Sequence, residues 1–177
     1  MNNERNEKTN IKILQTVFPA AKFPPPKILE DEILKIVPLI DRDFESLFEA
    51  ASDPLIWEQH PTSDRYKREV FQLYFDEAIS GKTAFLIIDK STNKVIGSTR
   101  YYDYKPENSS IAIGYTFLAR PYWGGLYNKS SKKLLIDYAF QFVDKIYFHI
   151  GANNIRSQLY QRQMVAGLCG KSRVVQK

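Results

Sequence analysis

Arg120-Pro-Tyr-Trp-Gly-Gly-Leu-Tyr-Asn128 joins a strand-like run to a helix-like one, and its reading decides the fold. The run before it, Ser110-Ile-Ala-Ile-Gly-Tyr-Thr-Phe-Leu118, is apolar and reads as a strand. The stretch after it, about Asn128 to Val143, reads as a long helix. Leu134, Leu135, Ile136, Tyr138, Ala139, Phe140, Phe142 and Val143 cover most of its circumference, which predicts burial against a sheet. Between them, a tight Trp123-Gly124-Gly125 turn leads into a helix N-terminus, the makings of an anion site. Glycines let a backbone approach a phosphate, and the first-turn N–H groups, reinforced by the helix dipole, point at it. Lys129, Lys132 and Lys133 occupy the first turns, where a cation is unfavourable by roughly 0.3–1 kcal/mol. A polyphosphate would neutralise them; charge alone equally allows solvated surface lysines.

The spacing excludes two other phosphate-binding turns. A P-loop needs Gly, four residues and then Gly-Lys-Ser/Thr, which is absent. A dinucleotide fold places its glycines after the first strand of a parallel βαβ unit, whereas this turn lies in the second half of the chain.

Working upstream, Ala84-Phe-Leu-Ile-Ile88 and Val95-Ile-Gly-Ser-Thr-Arg-Tyr-Tyr102 flank a turn-like Asp89-Lys-Ser-Thr-Asn-Lys94 and predict a hairpin. Ile33 to Ile40 reads as the first strand, with Pro38 marking an edge or bulge. Asp41 or Asp43 can cap a helix in which Phe44, Leu47, Phe48 and Ala51 share a face. A second helix starts near Ser63-Asp64, with Tyr66, Val70, Tyr74 and Ala78 as its stripe and Gly81 at its C-terminal end. Lys22-Phe-Pro-Pro-Pro26 breaks regular structure, so residues 1–27 read as an arm. Downstream, Ile146-Tyr-Phe-His-Ile150 is a further strand and Asn154 begins another helix. Helices around a mainly sequential, partly antiparallel sheet make an α+β domain.

Composition bounds the function classes. The 177 residues suffice for one domain, and 44% hydrophobic content argues for a folded core. No apolar run can span a bilayer, and Met1 to Asn10 is not a secretory signal, so a cytoplasmic location is expected. The lone Cys169 allows neither an intrachain disulfide nor a cysteine metal cluster, and no metal is expected. Six cations and no acid follow Asp144, while residues 1–144 carry 19 cations against 20 acids. The net charge of +5 therefore belongs to the tail, which speaks against a nucleic-acid partner.

These segments together resemble the GNAT superfamily of N-acetyltransferases, in the branch of the RimJ/RimL-like ribosomal-protein N-terminal acetyltransferases. The resemblance covers about residues 28–158. It runs through the opening strand with Asp43 and Phe44-x-x-Leu47, then Ile113-Gly-Tyr-Thr116 and Tyr122-Trp-Gly124. Asn128, Lys132 with Tyr138-Ala-Phe140, and Asn154-x-Arg-Ser157 complete it. It implies a sheet whose fourth and fifth strands splay apart to admit the pantetheine arm of acetyl-CoA, the acetyl donor. Thr116, Phe117, Leu118 and Ala119 would pair with that arm. Gly124, Gly125, Leu126, Tyr127, Asn128 and Lys129 would hold the pyrophosphate, and Asn154 with Ser157 would line the cofactor farther along. The partner is an amine acceptor, either a small molecule or a protein N-terminus, on a monomer or homodimer. The amine would attack the acetyl carbonyl directly, in keeping with the lack of a Ser-His or Cys-His pairing.

Such attack needs a neutral amine, a stabilised oxyanion and a proton for the thiolate. Tyr160, six residues after Asn154, is the candidate acid, one position early for the superfamily pattern. Where some relatives carry a glutamate the chain has Ala112, so no base carries over. Tyr101, Tyr102, Asp103 and His60 are candidate acceptor-pocket residues, while His149 alternates with apolar neighbours and reads as a core histidine. Two departures stand out. Leu126 replaces the family's glycine, which strains the turn if its φ is positive and leaves the backbone donor intact if negative. After Gln158 the resemblance stops, and residues 159–177 read as a frameshifted or otherwise divergent tail without the family's last strands. The alternative to an enzyme is a GNAT-fold protein that binds coenzyme A or a protein partner without turning over.

Overall fold

A computed structural model describes residues 22–151 and 153–159, together with the backbone of residues 173–176. Its sheet has the order β1 (Leu29–Glu30), β2 (Leu34–Pro38), β3 (Ala84–Asp89), β4 (Val95–Lys105), β5 (Ser110–Leu118), β6 (Lys145–Phe148) and β7 (Arg173–Gln176). Neighbours from β1 to β5 are antiparallel, and β5·β6 and β6·β7 are parallel. Three helices are α1 (Phe44–Ala51), α2 (Arg68–Gly81) and α3 (Leu126–Ala139), and residues 155–159 form a fourth, α4. The α+β class follows as the sequence predicts. One strand, β7, does follow β6 in the tail.

Alternation builds two apolar layers on the sheet. Leu34, Ile36, Phe85, Ile87, Tyr101 and Ile113 face Leu135, Ile136 and Ala139 of α3. Leu86 and Phe117 face the other way, into Leu47 and Ala51 of α1 and Phe71, Tyr74, Phe75 and Ala78 of α2. Phe23, in the segment read as an arm, is buried in the first layer, with its ring 4.8 Å from that of Tyr101. The Tyr138 hydroxyl donates to the Pro24 carbonyl at 2.8 Å.

Pro38 closes β2 beyond the two residues that β1 covers, so its missing N–H costs no ladder bond on that side. Asp43 acts through its carboxylate, which accepts the Ile40 N–H at 3.0 Å and fixes the turn before α1. Three expectations need correction. The second helix begins at Arg68 rather than near Ser63, because the chain first closes a turn from the Lys67 N–H to the Asp64 carbonyl at 2.9 Å and Lys67 itself is extended at φ −82°, ψ 134°. Gly81 is the last helical residue, and Lys82 takes the left-handed position at φ 54°. α3 ends at Ala139 and buries one side only: Leu135, Ile136 and Ala139 are buried, Leu134 and Tyr138 are half-buried, Lys133 and Asp137 are exposed, and Phe142 lies beyond its end.

Two irregularities shape the site. The β4·β5 register shifts between Ser98↔Phe117 and Arg100↔Gly114, so β5 carries a bulge, with Tyr115 at φ 51°. Gly97 makes this approach possible: a Cβ there would lie 2.0 Å from the Phe117 carbonyl oxygen. The parallel pairing of β5 with β6 covers only Ser110↔Lys145, Ile111↔Ile146 and Ala112↔Tyr147. Beyond Ala112 the two strands part.

Candidate active-site groove

The gap between the parted strands is a cavity of about 310 Å³, walled by Ile113–Thr116 on one side and Phe148–Gly151 on the other. A second cavity, of about 170 Å³, continues from it to Gly124 and Gly125 at the start of α3. Trp57, His60, Thr116, Asn128, Asn154 and Ser157 line both, so the two form one groove.

The turn into α3 resolves the Leu126 question. The left-handed positions fall on Gly124 (φ 100°) and Gly125 (φ 113°), and Leu126 is not among the positive-φ residues. Its side chain points to solvent and its amide, with those of Tyr127 and Asn128, stands in the first helical turn, where N–H groups have no intrahelical acceptor. The Asn128 side chain lines the groove, with a buried Oδ1 that has no hydrogen-bond partner.

The sequence candidates separate on this geometry. Thr116, Phe117, Leu118, Gly124, Gly125, Asn128, Asn154 and Ser157 all line the groove, whereas Ala119, Leu126, Tyr127 and Lys129 do not. The Ala119 amide donates to Ile96 and its carbonyl accepts from Tyr122, so both groups are engaged. The Leu118 carbonyl accepts the Trp123 indole N–H at 2.8 Å. Tyr127 turns its hydroxyl away, onto Asp89 at 3.2 Å. The Asn154 side chain caps α4 by accepting the Ser157 N–H at 3.1 Å. Tyr160 and Cys169 lie outside the described residues.

Of the acceptor-pocket candidates, His60 lines both cavities. Tyr101 is not: it is fully buried, and its hydroxyl donates to the Leu135 carbonyl at 2.6 Å. Asp103 is exposed and pairs with Lys105 at 3.2 Å, away from the groove. Tyr102 reaches the rim by a hydrogen bond between its hydroxyl and His149 Nδ1 at 2.9 Å. His149 is therefore an exposed groove residue and not the core histidine that alternation predicts, because β6 ends at Phe148 and the chain turns out.

Lys132 is the largest surprise. It is 6% exposed, points from α3 into the cavity, and donates from Nζ to Thr116 Oγ1 at 2.8 Å. That oxygen also meets Thr99 Oγ1 at 2.8 Å, and Nζ lies 5.0 Å from the Phe148 ring centre. Desolvation pulls its ammonium down to about 7. It is thus neither a solvated lysine nor part of a phosphate-facing helix surface.

Two arginines enter the groove with no site role expected from the sequence. Arg156 stacks 4.0 Å over Trp123, is bonded to Glu58 at 2.7 Å, and lines the second cavity. Arg65 packs 4.7 Å from the Tyr74 ring centre in the wall of the first. Arg156 stood inside a motif; Arg65 had no motif to mark it. No helix among the described residues is long and apolar enough to cross a membrane. Among the same residues there is no group of three or more His, Cys, Asp or Glu side chains placed to hold a metal.

Comparison with known proteins agrees with this arrangement. The family model for the acetyltransferase (GNAT) domain matches residues 34–162. No curated protein matches the sequence. Among solved structures, a GCN5-related N-acetyltransferase from Brucella melitensis superposes with a TM-score of 0.58 at 23% identity. That match covers 68% of this chain and 57% of the other, so the chain spans little more than half of that relative's length. A spermidine N-acetyltransferase from Vibrio cholerae, in complex with CoA and spermine, gives 0.59 at 15% identity, over 76% of this chain and 80% of the other. A Vibrio cholerae protein described as a candidate ribosomal-protein-serine acetyltransferase gives 0.65 at 13%, over 80% and 84%. At these identities the structural likeness is one of fold.

Proposed function

The chain belongs to the GNAT acetyltransferase family, and on that premise we propose that it transfers the acetyl group of acetyl-CoA to a primary amine by direct attack. The observation that carries the reading is the groove itself: two strands that part after three residue pairs, opening onto a glycine turn at a helix N-terminus. In this reading the pyrophosphate lies against the amides that follow Gly124, with Lys129 nearby. The pantetheine arm runs along β5 at Thr116 and Phe117, and Asn154, Ser157 and Arg156 flank it. The bulge takes Tyr115 and Thr116 out of the β4·β5 register, the Tyr115 carbonyl accepting from the Tyr74 hydroxyl, and a backbone N–H of this stretch is our candidate donor to the developing oxyanion.

The proton ledger has two sides. The attacking amine must lose a proton, and His149, held by Tyr102 at the cavity, is the groove base best placed to accept it. The departing thiolate must gain one. Tyr160 and Lys132 are the candidate donors, Lys132 because it lies in the cavity with a titration near neutral pH. The unit we assign to this work is residues 28–158, in the RimJ/RimL-like branch, with a protein N-terminus or small amine as acceptor and a cytoplasmic location.

A second reading, coenzyme A binding without turnover, is favoured by one fact: among the described residues, no carboxylate lines either cavity. Calorimetry with acetyl-CoA, followed by a thiol-release assay over a panel of amines, separates the two. Heat with thiol release supports the enzyme, and heat alone the binder. No heat at millimolar acetyl-CoA would defeat both.

A further inference from the structure

We propose that the acceptor carries a carboxylate beside its amine, as an amino acid or an acidic peptide N-terminus does, and that Arg65 and His60 hold that carboxylate. The inference rests on the acetyltransferase reading and deepens it by naming the acceptor class.

The argument begins with a conflict between donors. His60 Nδ1 accepts the Thr62 backbone N–H at 3.0 Å. A ring that accepts at Nδ1 carries its hydrogen at Nε2, and a doubly protonated ring could not accept at all. Yet His60 Nε2 lies 3.1 Å from Arg65 Nη1, which is a donor in every state. Two N–H groups therefore converge on one point of the cavity wall, an arrangement that an oxyanion seated against both relieves. The ring is also held neutral, first by burial and then by the Arg65 charge, in keeping with this tautomer.

Arg65 itself has the environment of an anion ligand. Its guanidinium is half-buried against Trp57 and Tyr74, and no ion pair ties it to a carboxylate among the described residues. Glu77, whose charge acts on it from farther off, is paired with Arg100 at 3.3 Å. A planar guanidinium beside a second N–H matches the two oxygens of a carboxylate. The wider lining points the same way. Among the described residues, Arg65, Lys132 and Arg156 are its charged side chains, with no Asp or Glu in the lining itself, and of these Arg156 is already paired with Glu58. A polyamine would bring several cations into a low-dielectric site already cationic, whereas an amine with its own carboxylate brings the complementary charge.

The test is a thiol-release panel of matched pairs: L-phenylalanine against 2-phenylethylamine, L-glutamate against L-glutamine amide, and the peptide Ala-Asp-Asp against Ala-Asn-Asn, both C-terminally amidated. Spermidine completes the panel. The carboxylate member of at least one pair should lead by tenfold or more in kcat/KM, and the small-molecule and peptide arms tell which source supplies it. Arg65→Gln should erase that lead, Arg65→Lys should recover part of it, and acetyl-CoA affinity should stay within threefold in both. A preference for spermidine or the neutral amines would overturn the proposal. So would a carboxylate preference that survives Arg65→Gln, or a tenfold loss of acetyl-CoA affinity, which would place Arg65 on the cofactor. If no amine releases thiol, calorimetry with L-glutamate and L-glutamine amide in the presence of CoA decides instead: equal affinity for both overturns it. Absence of any acetyl-CoA heat is a separate result and defeats the acetyltransferase reading.

Discussion

Replacing Lys132 with methionine should make the protein more stable, and the size of the gain can be worked from the structure. Burial lowers the Lys132 titration from 10.5 to about 7, and each pK unit corresponds to about 1.4 kcal/mol. The fold therefore carries a cost of about 5 kcal/mol for this ammonium wherever both states are protonated, which is at pH 7 and below. Between pH 7 and 10.5 the unfolded chain holds the proton and the native state does not, so stability rises with pH across that window. Above it the cost is gone. Methionine has a similar length and no charge. It forfeits the hydrogen bond to Thr116, worth about 1–3 kcal/mol, but the threonine keeps its 2.8 Å partner Thr99 and is not orphaned. The net expectation at pH 7 is a gain of about 2–4 kcal/mol, or roughly 4–16 °C in Tm for a domain of this size. Paired urea melts from pH 6 to 10 would read it: the variant leads at neutral pH, and the lead shrinks as pH rises. A variant less stable than the parent at pH 7, or a stability difference independent of pH, would refute the reasoning. Thiol release should fall in the same variant, since a lysine kept at such a cost is explained by use and not by packing.

Other substitutions probe the architecture. Phe23→Ala should cost about 3–5 kcal/mol in urea melts, because its ring is 6% exposed among Tyr101, Tyr104, Tyr138 and Phe142; a loss below 1 kcal/mol would show that the arm is not docked. Leu126→Gly should leave acetyl-CoA affinity within threefold by calorimetry, since the left-handed backbone already falls on Gly124 and Gly125; a tenfold tightening would mean that leucine distorts the turn. Gly97→Ala should unfold the protein or separate β4 from β5, as its Cβ would stand 2.0 Å from the Phe117 oxygen, and a native circular-dichroism melt would contradict that register.

The fold was legible where sequence periodicity and secondary structure coincide. β5 runs over the predicted Ser110–Leu118, and the hairpin of β3 and β4 stands where alternation and the Asp89–Lys94 turn place it. The start of α2 was hidden because Ser63-Asp64 has the composition of a helix cap, whereas it opens a separate turn that the Lys67 N–H closes onto the Asp64 carbonyl. In the site, the glycine turn was legible because phosphate chemistry constrains both glycines and spacing. The roles of Lys132 and His149 were not. Whether a lysine on a helix points to water or through to a cavity depends on where two strands part, and that is set by pairing far from it in sequence. Arg65 and His60 raise the same difficulty: their meeting depends on a loop pinned by a tryptophan.

The parting of β5 from β6 after Ala112 has one more consequence. A parallel pair that stops early leaves two strand ends with their inward backbone groups turned to solvent, so at this point the sheet has an internal seam. A ligand with alternating amides, laid into the seam, can take the part of a strand and bridge the halves. Amide hydrogen exchange at residues 113–116 and 148–151 should then slow when such a ligand binds. At a hundred times its Kd the ligand should add about 2.7 kcal/mol to global stability. An open stretch of backbone would become a closed one, with part of the sheet supplied from outside the chain.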